Sequence, residues 1–497
     1  LALRTGRPVR LEFTREEELI AARYRHPQRI TMTTGVMKDG TIIANRMHVV
    51  ADTGAYGSHA LTVQGNTGQK VLPMYPAANI HFKVDCVYTN NPNSGAFRGY
   101  GAPQGCFALE CHIDEVAREL GMSRLELRKM NHIKLGDTDP LSAKLGEGKE
   151  GLVRVVHSTG LGKGIEMGCE AIGWGAKKDP SAPHLKRGLG MALAMQGSGI
   201  AGVDWGGATV KLNDDGSVNL TVGATDIGQG SDTVLAQLCA EELGIPYDKV
   251  LILSSDTDLT PFDVGAYASS TTYVSGGAVV KAAAEVRRQV AAPLADKWEC
   301  AAEDIVFTGG IVSGPSGQEM TIAEAALFAL YEAKIQPMAT ASHMSNDSPP
   351  PFAAQFADVE VDIETGQVHI RKLVSAVDCG TPIHPKLAEG QIEGAVAQAL
   401  GYALYEEVLL DRTGKVLNPN FLDYKIASSL DVPEMVTILV PTDEPTGPYG
   451  AKAAGEVPID GPAPAIVNAI CDAVGVRMYR IPATPERVWR GLKEETP

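Results

Sequence analysis

The sequence of 497 residues is short of basic charge, cysteine pairs and long apolar runs. Lys and Arg number 44 against 60 Asp and Glu, and the net charge of −16 argues against nucleic acid as a partner, because phosphate binding needs clustered cations. No uninterrupted apolar run is long enough to span a bilayer. The start of the chain has no basic region followed by an apolar one, so no signal peptide is visible. We therefore expect a cytoplasmic location.

The eight cysteines are scattered and include no Cys-x-x-Cys pair, which disfavours disulfides, zinc sites and iron–sulfur clusters. Cys106 and Cys111 are close in sequence, but they fall in a predicted helix, where two small apolar residues facing a core explain them better. His112, His157 and His184 are isolated, and we expect them to be structural or exposed. The chain also has no P-loop, no dinucleotide-type G-x-G-x-x-G and no G-x-S-x-G elbow.

Turn and helix patterns predict an α+β chain with mixed, mostly antiparallel sheets and packed helices. Asp39-Gly40, Asp215-Gly216 and Glu364-Thr365-Gly366 each separate two alternating runs, which is typical of β-hairpins. Helices are predicted for "QGCFALECHIDEVAREL", "SRLELRKMN", "SDTVLAQLCAEELG" and "SGGAVVKAAAEVRRQVAAPLADKWE".

The second of these helices should begin with a capping box formed by Ser123 and Glu126. Polar stretches rich in Pro and Gly near residues 136–186 and 343–351 are candidate linkers. We predict a first domain over residues 1–180, incomplete at its N-terminus, and a second over residues 181–497.

Two segments of the second domain follow one pattern, and this predicts an internal pseudo-repeat. Each runs from the second strand of a hairpin through Asp-x-Gly to a Gly/Gln pair and a helix. The pairs are Gln229-Gly230 and Gly390-Gln391, and we predict that both lie at helix starts, where free N–H groups suit an anionic ligand. A duplicated fold unit with ordinary caps explains the hairpins and helices, but it does not explain the pairs.

Three further segments are rich in Gly and small polar residues. Ser269, Ser270, Thr271 and Thr272 precede a helix that opens with Gly, and they would form a cradle for a phosphate or pterin, although ordinary capping is the alternative. "NPNSGAFRGYGAPQG" is a second such loop. "GAKAAGEVPIDG" is the third, and it carries the lone carboxylate of Glu456. No metal-ligand spacing appears, so we predict one large anionic ligand held mostly by backbone groups.

These segments resemble the molybdenum-binding subunit of the xanthine dehydrogenase/aldehyde oxidase family, in the family's order and over nearly the whole chain. The motifs concerned are "SGAFRGYGAPQG", "DIGQGSDTVLAQLCAEELGI", "YASSTTYVSGGAVVKAA", "DCGTPIHPKLAEGQIEGAVAQALG" and "GAKAAGEVPIDGPAPAIVNAI". The resemblance implies a molybdopterin-binding large-subunit fold. It also implies molybdenum held through the pterin dithiolene, with molybdopterin in its cytosine dinucleotide form.

The resemblance assigns roles to individual residues. Glu456, in the Gly-Glu-x-Pro motif, would be the catalytic base. Lys452 would pair with Glu456 if the segment between them were helical, and would then lower its pKa. The cofactor-binding residues would be Gln229, Gly230, Ser269, Ser270, Thr271, Thr272, Gln391, Ala96, Phe97 and Arg98, and the substrate-contacting residues Tyr100, Gln196 and Gly197.

The family hydroxylates an electron-poor carbon with oxygen derived from water. Members that act on purines carry an arginine shortly before the Gly-Ala-Phe-Arg motif, but the matching stretch "SHALTVQGNTGQKVLPM" offers only Asn66, Gln69 and Lys70. Tyr100 favours a flat ring, because aromatic faces stack on rings. We expect an N-heteroaromatic substrate of nicotinate or purine type. Aldehyde oxidation and aromatic acyl-CoA reduction are alternatives within the family, and a scaffold without molybdenum is the alternative outside it.

The family's subunit has a further N-terminal part with a Gly-rich Phe-Gly loop and a pterin-binding Gln, and neither occurs in this sequence. We therefore expect a second chain, or a missing segment, to complete the cofactor site. The expected partners are this N-terminal molybdopterin-subunit chain, a [2Fe-2S] subunit and an FAD subunit, assembled as a dimer of heteromers.

Overall fold

The computed structural model describes residues 1–145, 151, 153–176 and 178–494, so part of the predicted linker near residues 136–186 lies outside the described residues. The strands are β1 (Gln28–Val36), β2 (Ile42–Asp52), β3 (Asn79–Val87), β4 (Thr138–Asp139), β5 (Arg154–Val155), β6 (Leu185–Met195), β7 (Gly206–Leu212), β8 (Val218–Val222), β9 (Val250–Ser254), β10 (Val306–Thr308), β11 (Ile311–Ser313), β12 (Glu319–Thr321), β13 (Met338–His343), β14 (Phe352–Asp362), β15 (Val368–Asp378) and β16 (Glu434–Leu439).

The helices follow the amphipathic segments of the sequence. They are α1 (Ala2–Thr5), α2 (Arg15–Ala21), α3 (Ala60–Gln69), α4 (Ala102–Leu120), α5 (Arg124–Asn131), α6 (Ser142–Leu145), α7 (Leu161–Ile172), α8 (Ser231–Leu243), α9 (Gly276–Trp298), α10 (Ile322–Leu327), α11 (Pro385–Leu404), α12 (Val457–Asp460), α13 (Pro462–Val474) and α14 (Pro485–Glu494). Among the described residues, no helix has both the length and the apolar character needed to cross a membrane.

The three predicted hairpins are confirmed as β1–β2, β7–β8 and β14–β15. In the first two turns the Asp side chain caps the backbone: Asp39 accepts a hydrogen bond from the Thr41 amide at 2.9 Å, and Asp215 accepts one from the Ser217 amide at 2.9 Å. Gly216 has a φ of +79°, a conformation that L-residues other than Gly rarely adopt. The Asp-Gly pattern therefore identified the turns for a local, physical reason.

Each hairpin belongs to a larger unit that occurs three times, whereas the sequence suggested two. In each unit a helix follows the hairpin, and a third strand then pairs in parallel with the hairpin's second strand. The parallel pairs are β2–β3, β8–β9 and β15–β16. Strand β13 extends the second sheet beside β7, and β6 extends the third beside β14. The other pairs between the named strands are antiparallel, which confirms the expected mixed, mostly antiparallel architecture.

The predicted helices also form, with two differences at their starts. Ser123 caps α5 by accepting a hydrogen bond from the Glu126 amide at 3.5 Å, but the reciprocal half of the capping box is not formed. The prediction that Gly390-Gln391 opens a helix was wrong. Helix α11 begins earlier, at Pro385, because proline is well tolerated in the first turn, and His384 is its N-cap.

Two large hydrophobic cores and one small cluster of Ala395, Ala399 and Ile459 lie within the described part of the chain. One large core extends in sequence from Ile42 to Val488, and the other lies between Ala208 and Ala326. In the first core, helix α13 lies directly on strand β6. A Cβ added at Gly190 would come within 2.0 Å of the Ala465 carbonyl oxygen, so only glycine permits this approach. The predicted domain boundary near residue 180 stays a prediction.

A buried ion-pair cluster joins α4 and α5 to strand β6. The Arg128 side chain is fully buried, and it donates to Glu110 Oε2 at 2.9 Å and to Asp114 Oδ1 at 2.6 Å. Glu110 also accepts from the Tyr75 hydroxyl at 2.6 Å and from the Leu193 amide at 3.0 Å. Every polar partner in this cluster depends on the others, because a buried charge without compensation is costly.

We predict that Arg128→Met lowers the free energy of unfolding by about 3–5 kcal/mol, because it leaves the buried Glu110 without its cation and Asp114 with only Arg124, at 3.5 Å. Chemical denaturation followed by tryptophan fluorescence measures the change. The control is Arg490→Met, which breaks an exposed pair with Glu486 and should cost less than about 1 kcal/mol. Equal stability of the two variants would contradict this account of the cluster.

Candidate functional site

A cleft forms where four distant parts of the chain meet: the start of α8, the turn before α9, the first turns of α11 and the extended segment 451–455. Its walls bring together five of the residues predicted to bind a cofactor. The lining residues are Gln229, Val234, Ser269, Thr271, Thr272, Cys379, Thr381, Pro382, Ile383, His384, Leu387, Ala388, Gln391, Ala451, Lys452, Ala453, Ala454 and Gly455.

The chemistry of this lining suits an anionic ligand that forms many hydrogen bonds. No Asp or Glu is among the described residues that line the cleft, although the chain carries a net charge of −16. The walls instead offer hydroxyls, side-chain amides and backbone groups, and helix α11 begins at one edge. Hydroxyls and helix N-termini donate hydrogen bonds to anions at little steric cost.

The wall at the start of α8 is a tight loop. Gln229 accepts a hydrogen bond from the Ile227 amide at 2.6 Å and donates to the Thr225 carbonyl at 3.0 Å, which folds its amide back onto the loop. Gly230 is the N-cap of α8 with a φ of +86°, and a Cβ there would lie 2.6 Å from Leu387 Cδ1. The glycine therefore lets the starts of α8 and α11 approach each other.

The turn before α9 contains backbone strain beside the cleft. Ala268 and Ser269 have φ values of 50° and 54°, which are uncommon for residues other than glycine and tend to occur at functional sites. Thr271 and Thr272 line the cleft, and their role in binding a cofactor stays a prediction. Ser270 is not among the lining residues: it is buried and its hydroxyl donates to the Tyr267 carbonyl at 2.9 Å, which stabilises the turn.

The loop 96–100 is tied to the cleft by the side chain of Arg98. Its Nε donates to the Gly455 carbonyl at 2.7 Å and its Nη2 to the Gln391 carbonyl at 3.0 Å. Ala96 and Phe97 precede it in exposed positions. Arg98 thus fixes the distance between this loop, helix α11 and the segment that leads to Glu456.

Glu456 lies at the N-terminus of α12, next to the cleft. Its Oε1 accepts a hydrogen bond from the Gly99 amide at 3.0 Å, and its Oε2 accepts one from the Ser269 hydroxyl at 3.1 Å. A Cβ at Gly455 would lie 2.9 Å from Ser269 Oγ, so the small residue before Glu456 allows the turn at Ser269 to come close. The small residue at position 455 therefore suits the close packing of the two loops.

Lys452 was expected to pair with Glu456 only if the segment between them were helical, and the segment is not helical. The Lys452 Nζ instead lies 2.8 Å from Asp378 Oδ2, and both side chains are buried. Asp378 also accepts hydrogen bonds from the Gly160 amide at 2.7 Å, the Gly380 amide at 3.0 Å and the Thr442 hydroxyl at 2.6 Å. This ion pair therefore anchors the segment 451–455, which lines the cleft.

The residues predicted to contact substrate lie on the other side of Glu456, around the loop 96–100. The Tyr100 hydroxyl is 2.8 Å from His59 Nδ1 and 2.7 Å from the Thr62 hydroxyl. Gln196 is buried and donates to the Gly99 carbonyl at 2.8 Å, so it supports the loop from behind. A Cβ at Gly197 would meet Lys70 Nζ at 2.7 Å, which places Gly197 in the interior as well.

Sequence reasoning did not identify Asp378, Asp460 or Arg25 as site residues. Asp378 had a signal, since it opens the second of the two Asp-x-Gly motifs. In the first motif Asp226 plays a related part, accepting from the Gly228 amide at 2.8 Å. Asp460 had a local signal, since it follows Glu456 by four residues, one helical turn, whereas Arg25 had none because only the folded chain brings it near Glu456.

Comparison with known proteins agrees with this geometry. Two family models, both described as molybdopterin cofactor-binding domains, match residues 1–132 and 168–433. The chain is 36% identical over 496 residues to the xanthine dehydrogenase molybdenum-binding subunit of Escherichia coli O157:H7, covering 97% of this chain and 65% of the relative.

It is also 30% identical over 514 residues to the nicotine 6-hydroxylase large subunit of Paenarthrobacter nicotinovorans, covering 98% of this chain and 62% of the relative. The crystal structure of quinoline 2-oxidoreductase from Pseudomonas putida 86 superposes with a TM-score of 0.91 at 29% identity, covering 99% of this chain and 65% of that one. The chain thus spans less than two thirds of the length of each of these relatives.

The fold and the cleft therefore define a molybdopterin-binding protein. The chain belongs to the molybdopterin-binding subunits of the xanthine dehydrogenase/aldehyde oxidase family. The donor set fits the expected group, because a cofactor that carries phosphate needs the carboxylate-free, hydroxyl-lined cleft found here. Among the described residues, no group of three or more His, Cys, Asp or Glu is arranged to hold a metal ion directly.

We predict that Lys452→Met lowers the free energy of unfolding by about 3–5 kcal/mol, because Asp378 is left buried without its cation. Molybdenum content should fall as well, since the segment 451–455 lines the cleft. Thermal denaturation and metal analysis of the purified protein measure the two effects.

The control for this prediction is Lys386→Met on α11, where an exposed Nζ lies 3.3 Å from Glu389. That change should cost no more than about 1 kcal/mol and leave the metal content unchanged. Unchanged unfolding and metal content in Lys452→Met would show that the buried pair does not hold the cleft.

Proposed function

We propose that this chain is the molybdopterin-binding catalytic part of a molybdenum hydroxylase, and that Glu456 is its general base. The observation that carries the proposal is the position of the Glu456 carboxylate. It lies directly after Gly455, which lines the cleft, and two hydrogen bonds from Gly99 and Ser269 fix it. A base with two fixed donors is held in one orientation, as general base catalysis requires.

Different residues of the cleft would hold different parts of the cofactor. Thr271, Thr272 and the start of α11 would donate to its anionic groups, and Gln391 and the loop at Gln229 would meet the pterin edge. The cofactor would supply, when bound, the redox centre that accepts two electrons from the substrate. We further propose the cytosine dinucleotide form, on the resemblance of the sequence to bacterial members of the family.

Glu456 performs the proton chemistry of this site. As a carboxylate it would accept a proton from the water-derived hydroxyl that is to be transferred to the substrate, a role typically worth about 10²–10⁴-fold in rate. Ser269 and the Gly99 amide stabilise its negative charge by donating to one oxygen each. Arg98 holds the loop that carries Gly99, and its positive charge lies near the carboxylate.

For the substrate we propose a flat N-heteroaromatic ring, hydroxylated beside a ring nitrogen. The exposed ring of Phe97 and the half-buried ring of Tyr100 lie on the loop that bonds Glu456, so a flat substrate would find aromatic surface next to the base. The names of two relatives, nicotine 6-hydroxylase and quinoline 2-oxidoreductase, refer to compounds of this class and support the choice.

We propose that electrons leave through iron–sulfur and flavin partners in a heteromeric complex. The matched relatives are named as a molybdenum-binding subunit and as a large subunit, which supports an assembly of several chains. The N-terminal molybdopterin segment and the dimeric state stay predictions.

We predict that Glu456→Gln lowers kcat of the assembled enzyme by at least about 10²-fold while molybdenum content stays normal. Gln has the same shape and accepts the same hydrogen bond from the Gly99 amide, but it cannot take up the proton. Steady-state kinetics with an artificial electron acceptor and metal analysis test this together.

Glu393→Gln is the matched control, because Glu393 is an exposed carboxylate on α11, two residues from Gln391. Its kcat should equal that of the wild type. Near-normal turnover of Glu456→Gln with full molybdenum content would remove Glu456 from the mechanism. Wild-type protein purified in its complex without any molybdenum would instead favour the scaffold alternative.

We predict that a panel of nicotinate, hypoxanthine, xanthine, benzaldehyde and an aromatic acyl-CoA gives turnover with an N-heterocycle. The aromatic surface beside Glu456 and the absence of an arginine from residues 58–74 make xanthine the weaker of the heterocycles. Turnover of benzaldehyde alone would overturn the heterocycle proposal. Activity with the thioester alone would assign the protein to the reductase branch of the family.

A further inference from the structure

A second carboxyl group, that of Asp460, lies behind Glu456. Asp460 is the last residue of α12, four positions after Glu456, so the two side chains lie on one side of the same short helix. Asp460 is 1% exposed, and neither of its oxygens has a hydrogen-bond partner within the described part of the chain. Glu456, in contrast, is only half-buried and accepts from Gly99 and Ser269.

The two carboxyls meet at one residue, Gly99. The Gly99 amide donates to Glu456 Oε1 at 3.0 Å, and a Cβ added to Gly99 would lie 2.9 Å from Asp460 Oδ1. The φ of Gly99 is +89°, so the loop takes a backbone conformation suited to glycine at this point. The two acids therefore share a narrow space that the missing side chain leaves open.

The helix that carries both acids is held rigidly. Gln355 on β14 donates to the Pro458 carbonyl at 2.8 Å and accepts from the Gly461 amide at 2.9 Å. The Tyr402 hydroxyl donates to the Ile459 carbonyl at 2.6 Å. Because these bonds fix the backbone on both sides of Asp460, the two carboxyls could separate only by rotation of their side chains and not by movement of the chain.

The surroundings of the two acids differ in a way that separates their protonation. Beyond Asp460 lies a small cavity lined by apolar side chains and Lys70. Burial, and then the negative charge of Glu456, raise the pKa of Asp460 well above its usual value. The titratable and charged groups that face Asp460 are Glu456, Arg25, Arg98, Lys70, Cys106 and Tyr402, and the three cations only oppose the increase.

We propose that Glu456 and Asp460 form a coupled carboxyl pair that holds one proton in the resting site, with Asp460 as the neutral acid and Glu456 as the carboxylate. The geometry at Gly99 and the unpartnered oxygens of Asp460 carry this inference. Like charges in one confined site cannot both be ionised at low cost, and unequal surroundings decide which acid keeps the proton.

Asp460 is thus a positioning residue that acts through Glu456. As a neutral group it adds no negative charge beside Glu456, so the base stays ionised at lower pH than it would next to a second carboxylate. When the pH rises far enough to ionise Asp460, a buried charge without a hydrogen bond appears against the loop at Gly99. The pair therefore sets an alkaline limit for an intact site. The inference rests on the proposed function only where it names Glu456 as the base.

The test is Asp460→Asn in the complete enzyme complex, because Asn has the shape of the neutral acid. The folded protein keeps the Asp460 proton above the ordinary carboxyl pKa of about 4, while the unfolded chain releases it. Wild-type stability should therefore fall as pH rises from about 4 to the raised pKa of Asp460, by up to tenfold in the unfolding constant per pH unit. The Asn variant lacks this loss.

We predict that the melting temperature of Asp460→Asn increases relative to that of the wild type as pH rises. A protonated carboxyl band in the infrared spectrum should disappear in the variant. The acidic limb of the kcat/KM profile, which reports Glu456, should stay in place, and the alkaline limb should move to higher pH. The control is Asp472→Asn, which removes a carboxylate paired with Arg124 at 2.8 Å and should show no such gain.

A lower melting temperature of Asp460→Asn at neutral pH, with the infrared band unchanged, would mean that Asp460 is an ionised partner of the nearby cations and would overturn the proposal. If the Asn variant does not fold, Asp460→Ser provides the same comparison of infrared spectra. If Glu456→Gln retained turnover, the proposed function would be refuted, but the shared proton would not. If Glu456→Gln lost turnover and Asp460→Asn showed no gain in melting temperature with pH, only the shared proton would be refuted.

Discussion

The buried pair between Lys452 and Asp378 is the interaction on which the rest of the site depends. Asp378 ends strand β15, and its carboxylate also accepts from Gly160 at the start of α7 and from Thr442. Desolvation of both ions costs free energy, so the pair is not a simple source of stability. The pair instead fixes the relative position of its two segments, because burying either ion without the other would raise the free energy of the folded state. The pair therefore fixes the extended segment 451–455, and with it the place of Glu456 in the fold.

The position of Glu456 is set again from the opposite side by the loop 96–100. Gly99 donates to the carboxylate, and Arg98 bonds the carbonyls of Gly455 and Gln391. The base is thus held between two segments that are far apart in the sequence. At Gly99 and Gly455 the two segments approach closely, since an added Cβ would lie 2.9 Å from Asp460 Oδ1 and 2.9 Å from Ser269 Oγ, respectively. A rigid, narrow arrangement of this kind suits a group that must meet both a large cofactor and a substrate.

Local chemistry made much of the fold predictable. Asp-Gly turns identified the hairpins, and helix periodicity identified α4, α8 and α9, because these patterns act within a few residues. Five of the cleft residues followed from Gly-rich, hydroxyl-rich helix starts and from a family resemblance. The placement of Gly390-Gln391 at a helix start was wrong, since Gln391 lies inside α11, and the bond of Lys452 to Asp378 was not foreseen. The sequence around Lys452 contains no local sign of Asp378, which is 74 residues away.

The large separation in sequence between the parts that form and brace the cleft has a consequence for folding. Arg98 bonds Gly455 across 357 residues and Gln391 across 293, so the cleft is closed by some of the most distant contacts in the chain. Contacts of high sequence separation form late in folding, because closing long loops costs entropy before any contact repays it. The four walls themselves come from residues between Gln229 and Gly455, so a fragment that lacks the segment 451–455 lacks one wall of the cleft. Binding of the pterin therefore requires that this long stretch of chain has already folded.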